Sequence, residues 1–476
     1  MNLSKSKLIK KSSNFFSMNS SYESSDLLKF INHELECKND FAKHFIRVSA
    51  NTHGFKQNFY ESLLAIFHKY SIKQLKPNTK KISLLVISDV TTIYFYKLIK
   101  IFGISIGLDI NISSIEDDKI GYRDDLVLDH QKNYDLVFLF LSDSWLSKHL
   151  EDSLFLNNKN FTDLKNIINN LLSITKRSLS KKIIFSGFTT KLFNFNETVK
   201  YEKYLSPNRF VWSLNNFLED KQDENFAYLN LNSIVSNVGG SDNYFSRMYT
   251  IANYPFEEKL SIYFSRALTS LIADLFKQSH RLLVTDLDNT QWGGEVADLG
   301  FENVIYGEDT PTGRDFKRLQ TSIRSLTSIG LNIAAISKND PSIEDDFKKN
   351  KRFILNYKIF TSVMINLDNK SLNIANLEKN IGFNSDYYLY IDDSVFELVN
   401  IFIDHPYIDF ILAKDASHTL SQLENLCFFK KTIVLTDDIS RTENIKKLLN
   451  QNILRKKFKS NSEFLKNINI KLIISD

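Results

Sequence analysis

The chain has 476 residues, 43% of them hydrophobic and 24% charged, and at roughly 100–200 residues per domain it holds two to four folded units, which excludes disorder as its main state. Sixty Lys and Arg against 56 Asp and Glu leave a net charge of +4, too little to mark a nucleic-acid binder. Two cysteines, Cys37 and Cys427, stand far apart without metal spacing, which argues against a disulfide framework and against a Cys-based zinc site.

Residues 1–25 are rich in Ser, Asn and Lys and read as a frayed arm. Over 27–75 the apolar residues recur at helical spacing (Phe59, Leu63, Leu64, Phe67), giving a helical preface. Short β-rich runs then alternate with amphipathic segments: a strand over 82–87, a helix over 92–102 stopped by Gly103, and strands over 136–141, 183–185 and 227–231, with a helix over 164–172. A helix over 256–276 leads to a second series with strands over 282–286, 331–336, 388–392 and 410–412 and helices over 316–326, 372–381 and 395–402. Continuous apolar strands flanked by helices are the signature of a parallel sheet covered on both faces. The fold class is therefore α/β, two successive Rossmann-like parallel-sheet domains after a helical preface. The expected boundaries are 1–79 (arm and preface), 80–278, 279–430, and 431–476 (a helix over 445–454 and a strand over 468–474 docked on the second domain). No apolar run reaches a membrane span and the amino end has no signal-like core, so the cytoplasm is the expected compartment.

Chemistry concentrates in the second series. The strand LLVT runs into Asp286, Leu287, Asp288, Asn289 and Thr290. Ligands bind at the carboxyl ends of strands in an open α/β sheet, and two carboxylates there call for a cation; Mg²⁺ suits an all-oxygen set and leaves room for water and phosphate. The next strand ends in Ser337, Lys338, Asn339 and Asp340, a later helix opens with Lys370, and the strand over 388–392 ends in Asp392 and Asp393. Taken singly, these are a capping Ser, a surface Lys and an acidic turn. Together, in that order and at strand ends, they point to phosphoryl chemistry. Gly293 and Gly294 follow the acidic loop in a Gly-poor chain, where a flap, a close backbone approach or a plain turn needs them.

The four motifs resemble those of the haloacid dehalogenase (HAD) superfamily. DLDNTQWGGEV, ISKNDP, DNKSLNI, YIDDSVFELV and LTDDISRTE resemble its FkbH-like branch, subfamily IIIC, from about residue 279 onward, and 80–278 is similar to that branch's degenerate SGNH-hydrolase-like domain. The resemblance implies Asp286 as nucleophile, Asp288 as acid/base, and Ser337 and Lys370 as phosphate holders. It also implies Mg²⁺ bound by Asp286, Asp392, Asp393 and the Asp288 carbonyl, beneath a minimal cap. Asn289, Thr290, Gly293, Gly294, Lys338 and Asn339 fall to substrate binding. FkbH-like proteins are associated with loading a glyceryl unit from 1,3-bisphosphoglycerate onto an acyl carrier protein, which implies a phosphorylated small molecule and an acyl carrier protein as partners, with no nucleic acid and no membrane.

The sequence departs from that pattern at several places: Ile336 stands where Cys is common, Leu367-Asp368-Asn369 replaces Trp-x-Asp, Ser394 replaces Asn and Gln291 an apolar residue. Neither cysteine lies near a motif, which argues against an acyl-cysteine step. In the first domain Ser88 and Asp89 stand at the nucleophile turn of SGNH hydrolases, without a recognisable Asp-x-x-His partner, so a binding or scaffolding role is expected. Lys446, Lys447, Arg455, Lys456, Lys457 and Lys459 read as a solvated helix face or a dock for an acidic carrier. Two other readings stay open: a phosphatase of a small metabolite without carrier protein, and a non-catalytic binding module.

Overall fold

The computed structural model describes residues 4–121, 133–150, 156–189, 204–245, 247–426, 429–436, 438 and 443–447. Of the expected helix over 445–454 only 445–447 fall within them; the strand expected over 468–474, Cys427 and the basic residues Arg455, Lys456, Lys457 and Lys459 lie outside the described residues. The chain divides into two compact units, one mainly Asn14–Ser279 with Glu424–Ile433, the other mainly His280–Leu423. The second unit therefore ends short of the expected boundary at 430. Backbone N–H groups of Lys430 and Thr432 instead donate to Ser270 Oγ and Asp274 Oδ2, at 3.2 and 2.7 Å, which ties this stretch to the first unit.

Residues read as a frayed arm form a helix, Lys5–Ser21. Its polar composition hides Phe15 and Phe16, which are buried, with Phe15 stacked on Phe45 at 4.5 Å. A few aromatic anchors outweigh weak local propensity.

In the first unit, β1 (Lys80–Ser88), β2 (Leu108–Glu116), β3 (Leu136–Phe140), β4 (Ile183–Ser186) and β5 (Phe226–Leu229) form a parallel sheet in the order β2-β1-β3-β4-β5. Period-two alternation splits β3 between two cores. Val137 and Leu139 join Trp145, Ile168, Phe210 and Leu214 on one side, while Phe138 and Phe140 meet Phe264, at 5.9 and 5.4 Å between rings, on the other. Burying each such side chain contributes about 1.5–3 kcal/mol. Gly103 does not stop its helix, which runs Tyr96–Ser105. A Cβ there would sit 2.9 Å from the Leu108 carbonyl oxygen, so the glycine serves the close approach of helix to sheet.

In the second unit, β6 (Leu282–Thr285), β7 (Asn332–Lys338), β8 (Ser362–Asn366), β9 (Tyr388–Asp392) and β10 (Asp409–Leu412) form a second parallel sheet in the order β10-β9-β6-β7-β8. The chain runs outward from β6 to β7 and β8, then returns to the far side for β9. That reversal opens a crevice at the carboxyl ends of β6 and β9. Among the described residues no helix is long and apolar enough to cross a membrane.

Candidate active site

Register builds the centre of this crevice. Thr285 pairs with Ile391 of β9 and with Ala335 of β7, so the next residue, Asp286, lies level with Asp392, and its N–H donates to the Ile391 carbonyl at 2.9 Å. The helix Lys370–Ile381 is started by Asn369, whose side chain accepts from the Ser371 N–H. That cap points Lys370 inward: its Nζ lies 2.9 Å from Asp286 Oδ1 and 2.7 Å from Asp392 Oδ2. All three residues are buried. Asp286, Asp392 and Asp393 each offer an oxygen within 4.8 Å of the others.

Three carboxylates around one ammonium leave an excess of negative charge in a dry place. Burial pushes the Asp286 carboxyl up to about 8; Lys370 opposes this and Asp392 adds to it. Burial also raises Asp393, helped by Asp392 and opposed by Lys370 and the Thr290 hydroxyl. Burial alone would depress the Lys370 ammonium, but Asp286 and Asp392 outweigh it and hold it well above its usual range. Such a set, all oxygen and under-neutralised, fits a hard divalent cation.

Asp392 is further fixed by the Tyr390 hydroxyl, which donates to Oδ2 at 2.6 Å, and by the Ser394 N–H, which donates to Oδ1 at 2.8 Å. Tyr390 was missed in the sequence, although strand alternation sets it two residues before Asp392 on the same face. Asp288 does not share its carboxylate with the acidic cluster. It accepts from Asn339 Nδ2 at 2.6 Å and from Trp292 Nε1 at 2.8 Å.

The remaining expected residues divide. Ser337 is buried near the end of β7, beside the crevice. Lys338 is half-exposed and pairs with Glu397 Oε1 at 3.0 Å, reaching from the strand on one side of β6 to the helix that follows the strand on the other. Asn289, expected to meet substrate, has a left-handed φ of 55° and accepts from the Gly294 N–H at 2.8 Å. Gly293 exchanges both backbone hydrogen bonds with Ile305. The Asn289–Gly294 and Gly293–Ile305 bonds build the loop itself. In the first unit Ser88 is buried and its Oγ accepts from the Val90 N–H, while the Asp89 carboxylate accepts from Ser142 N and Oγ, both at 2.7 Å. No histidine is among these partners.

Fold and site together define a parallel α/β unit with an acid-rich, lysine-bridged crevice at its topological switch point. No protein-family model and no curated protein matches the chain. Among solved structures it is similar to a crystal structure of the N-terminal part of protein BF1531 from Bacteroides fragilis, containing a phosphatase domain complexed with Mg. The TM-score is 0.64 at 22% identity, over 74% of this chain and 95% of that one. At that identity the likeness is one of fold.

Proposed function

We propose that the second unit is a magnesium-dependent phosphatase of the HAD type, working through an aspartyl-phosphate on Asp286. One observation carries the reading: Lys370 bridges Asp286 and Asp392 inside a three-carboxylate cluster at the switch point. The Mg-complexed phosphatase domain of the fold neighbour supports it. Asp286, Asp392 and Asp393 would hold the ion, which when bound offsets charge on the transferring phosphoryl group.

An oxygen of Asp286 attacks phosphorus, and the phosphorus–oxygen bond to the leaving group breaks. Asp288, as the acid, gives its proton to the departing alkoxide. As the carboxylate, it then takes a proton from a water whose oxygen attacks phosphorus, freeing Asp286 and inorganic phosphate. Lys370 and the Ser337 hydroxyl neutralise and hold the phosphoryl oxygens. In its finer form the substrate is a three-carbon acyl donor such as 1,3-bisphosphoglycerate and the acceptor a carrier-protein thiol: the thiol sulfur attacks the acyl carbon and loses its proton, the acyl carbon–oxygen bond breaks with phosphate leaving, and the remaining phosphomonoester is the group that passes through Asp286. Ile336 is buried beside the site in place of a thiol, which favours direct delivery to the acceptor. The first unit acts as a binding or scaffolding partner.

Replacing Asp286 with Asn tests the assignment. Phosphate release in the presence of magnesium falls to background while the melting curve stays cooperative; a variant as active as wild type refutes the site. Screening phosphorylated compounds with and without carrier protein separates the two substrate readings.

A further inference from the structure

Asp288 is tied to more than the loop that bears it. Its Oδ1 accepts from the Trp292 indole N–H at 2.8 Å and from the Val296 backbone N–H at 3.2 Å, which occupies both lone pairs of that oxygen. Oδ2 accepts one bond, from Asn339 at 2.6 Å, and keeps a lone pair for a substrate atom.

Both Oδ1 donors sit on one small substructure. Val296 opens the short helix Val296–Leu299, and Trp292 precedes Gly293, whose antiparallel bridge to Ile305 closes a flap over 293–305. The Trp292 ring is buried. It stacks on Phe353 at 4.6 Å and meets the rings of Phe301 and Phe347 edge-on at 5.9 Å. Behind the flap the Arg352 guanidinium donates to the carbonyls of Phe301 and Tyr306 at 2.8 Å, Glu302 at 3.1 Å and Val304 at 3.2 Å. Four charge-assisted bonds from one rigid fork fix the returning half of the flap.

A buried indole N–H needs some acceptor, and a backbone carbonyl usually suffices. Trp145 in the first unit shows that ordinary solution, donating to the Ile120 carbonyl at 2.6 Å. Trp292 instead spends its N–H on a carboxylate of the crevice.

We propose that Trp292 is a positioning residue. Its N–H locks Asp288 with Oδ2 turned to the leaving group, and Arg352 holds the flap that carries this lock. The inference rests on the phosphatase reading above.

The test measures kcat/KM for Trp292→Phe in the full chain with magnesium, on an alkyl phosphate and on p-nitrophenyl phosphate. This parameter reports the steps through the first phosphoryl transfer, where an alkoxide needs a proton to leave and nitrophenolate does not. The alkyl-to-aryl ratio falls about tenfold or more relative to wild type, a fraction of the total contribution of a general acid, while the melting temperature holds. Arg352→Lys, which keeps the charge but not the fork, lowers the same ratio less and serves if the first variant misfolds. Equal losses on both esters, or an unchanged ratio in both variants, overturn the positioning role and leave the phosphatase standing. A wild-type protein that releases phosphate from neither ester and from no compound of the screen overturns both.

Discussion

Replacing Lys370 with Met keeps the length of the side chain and removes its charge. The ammonium is 2.9 Å from Asp286 and 2.7 Å from Asp392, and its side chain is only 4% exposed, so both carboxylates lose the cation that pairs with them in a dry environment. Stranding a buried ion in this way costs about 3–5 kcal/mol, roughly 10²–10⁴ in the folding equilibrium. The cost depends on pH. Asp286 is already pushed up to about 8 with Lys370 beside it, and without Lys370 its carboxyl holds the proton to higher pH still. In wild type and variant alike the folded form keeps a proton that the unfolded chain releases near pH 4, so both lose stability as pH rises from about 4; wild type stops losing it near pH 8, and the variant goes on losing it. Urea unfolding of magnesium-free wild type and Lys370→Met at about pH 6 and about pH 9 measures this. The deficit of the variant is nearly constant below about pH 7 and grows as pH rises above about 8, and added magnesium restores more to the variant than to wild type because it replaces the lost positive charge. A deficit below about 1 kcal/mol at about pH 9, or one that does not grow between the two pH values, refutes the view of Lys370 as the counter-ion of this cluster.

Two further outcomes are expected. In the first unit, burial pushes the Asp143 carboxyl up to about 7 against the pull of its hydrogen bonds from Thr189, so the folded form binds the extra proton between about pH 4 and 7 and stability is lost as pH rises through that window. Asp143→Asn removes this slope, and relative to wild type the variant gains up to about 3 kcal/mol between pH 5 and 7.5, read by urea unfolding. Gly294→Ala must hold a φ of 97° and place a Cβ 2.5 Å from Leu299 Cδ1; it loses about 1–3 kcal/mol in thermal or urea unfolding, whereas an unchanged stability contradicts the strained turn.

Much of this architecture could be read from residue order because the signals were local. Several buried strands announced themselves as apolar runs ending in Asp, Ser or Asp-Asp, and a carboxylate at a strand end needs no tertiary knowledge to be suspected. Two strands escaped, Leu108–Glu116 and Ser362–Asn366. Both lie at sheet edges, where one flank lacks a neighbour and polar residues such as Asn111, Ser113 and Ser362 are tolerated, so no continuous apolar run forms. Lys370 was visible as a helix-opening cation, but its joint hold on Asp286 and Asp392 depends on strand order, which no single segment encodes. Gly103 looked like a helix stop because the strand it packs against, which begins at Leu108, was itself hidden by its polar residues. Trp292 looked like core and is core; only its N–H direction reveals the tie to Asp288. Glu397, the partner of Lys338, gave no local signal, since their pairing spans the crevice between two different strands.

Reductive trapping with borohydride during turnover tests the central claim most directly, because hydride converts an aspartyl-phosphate to homoserine and leaves a free aspartate unchanged. Homoserine is expected at position 286, dependent on a phosphorylated substrate and absent from Asp286→Asn. Phosphate release with trapping at another residue, or with no trapped residue in a protein that turns over steadily, would contradict it.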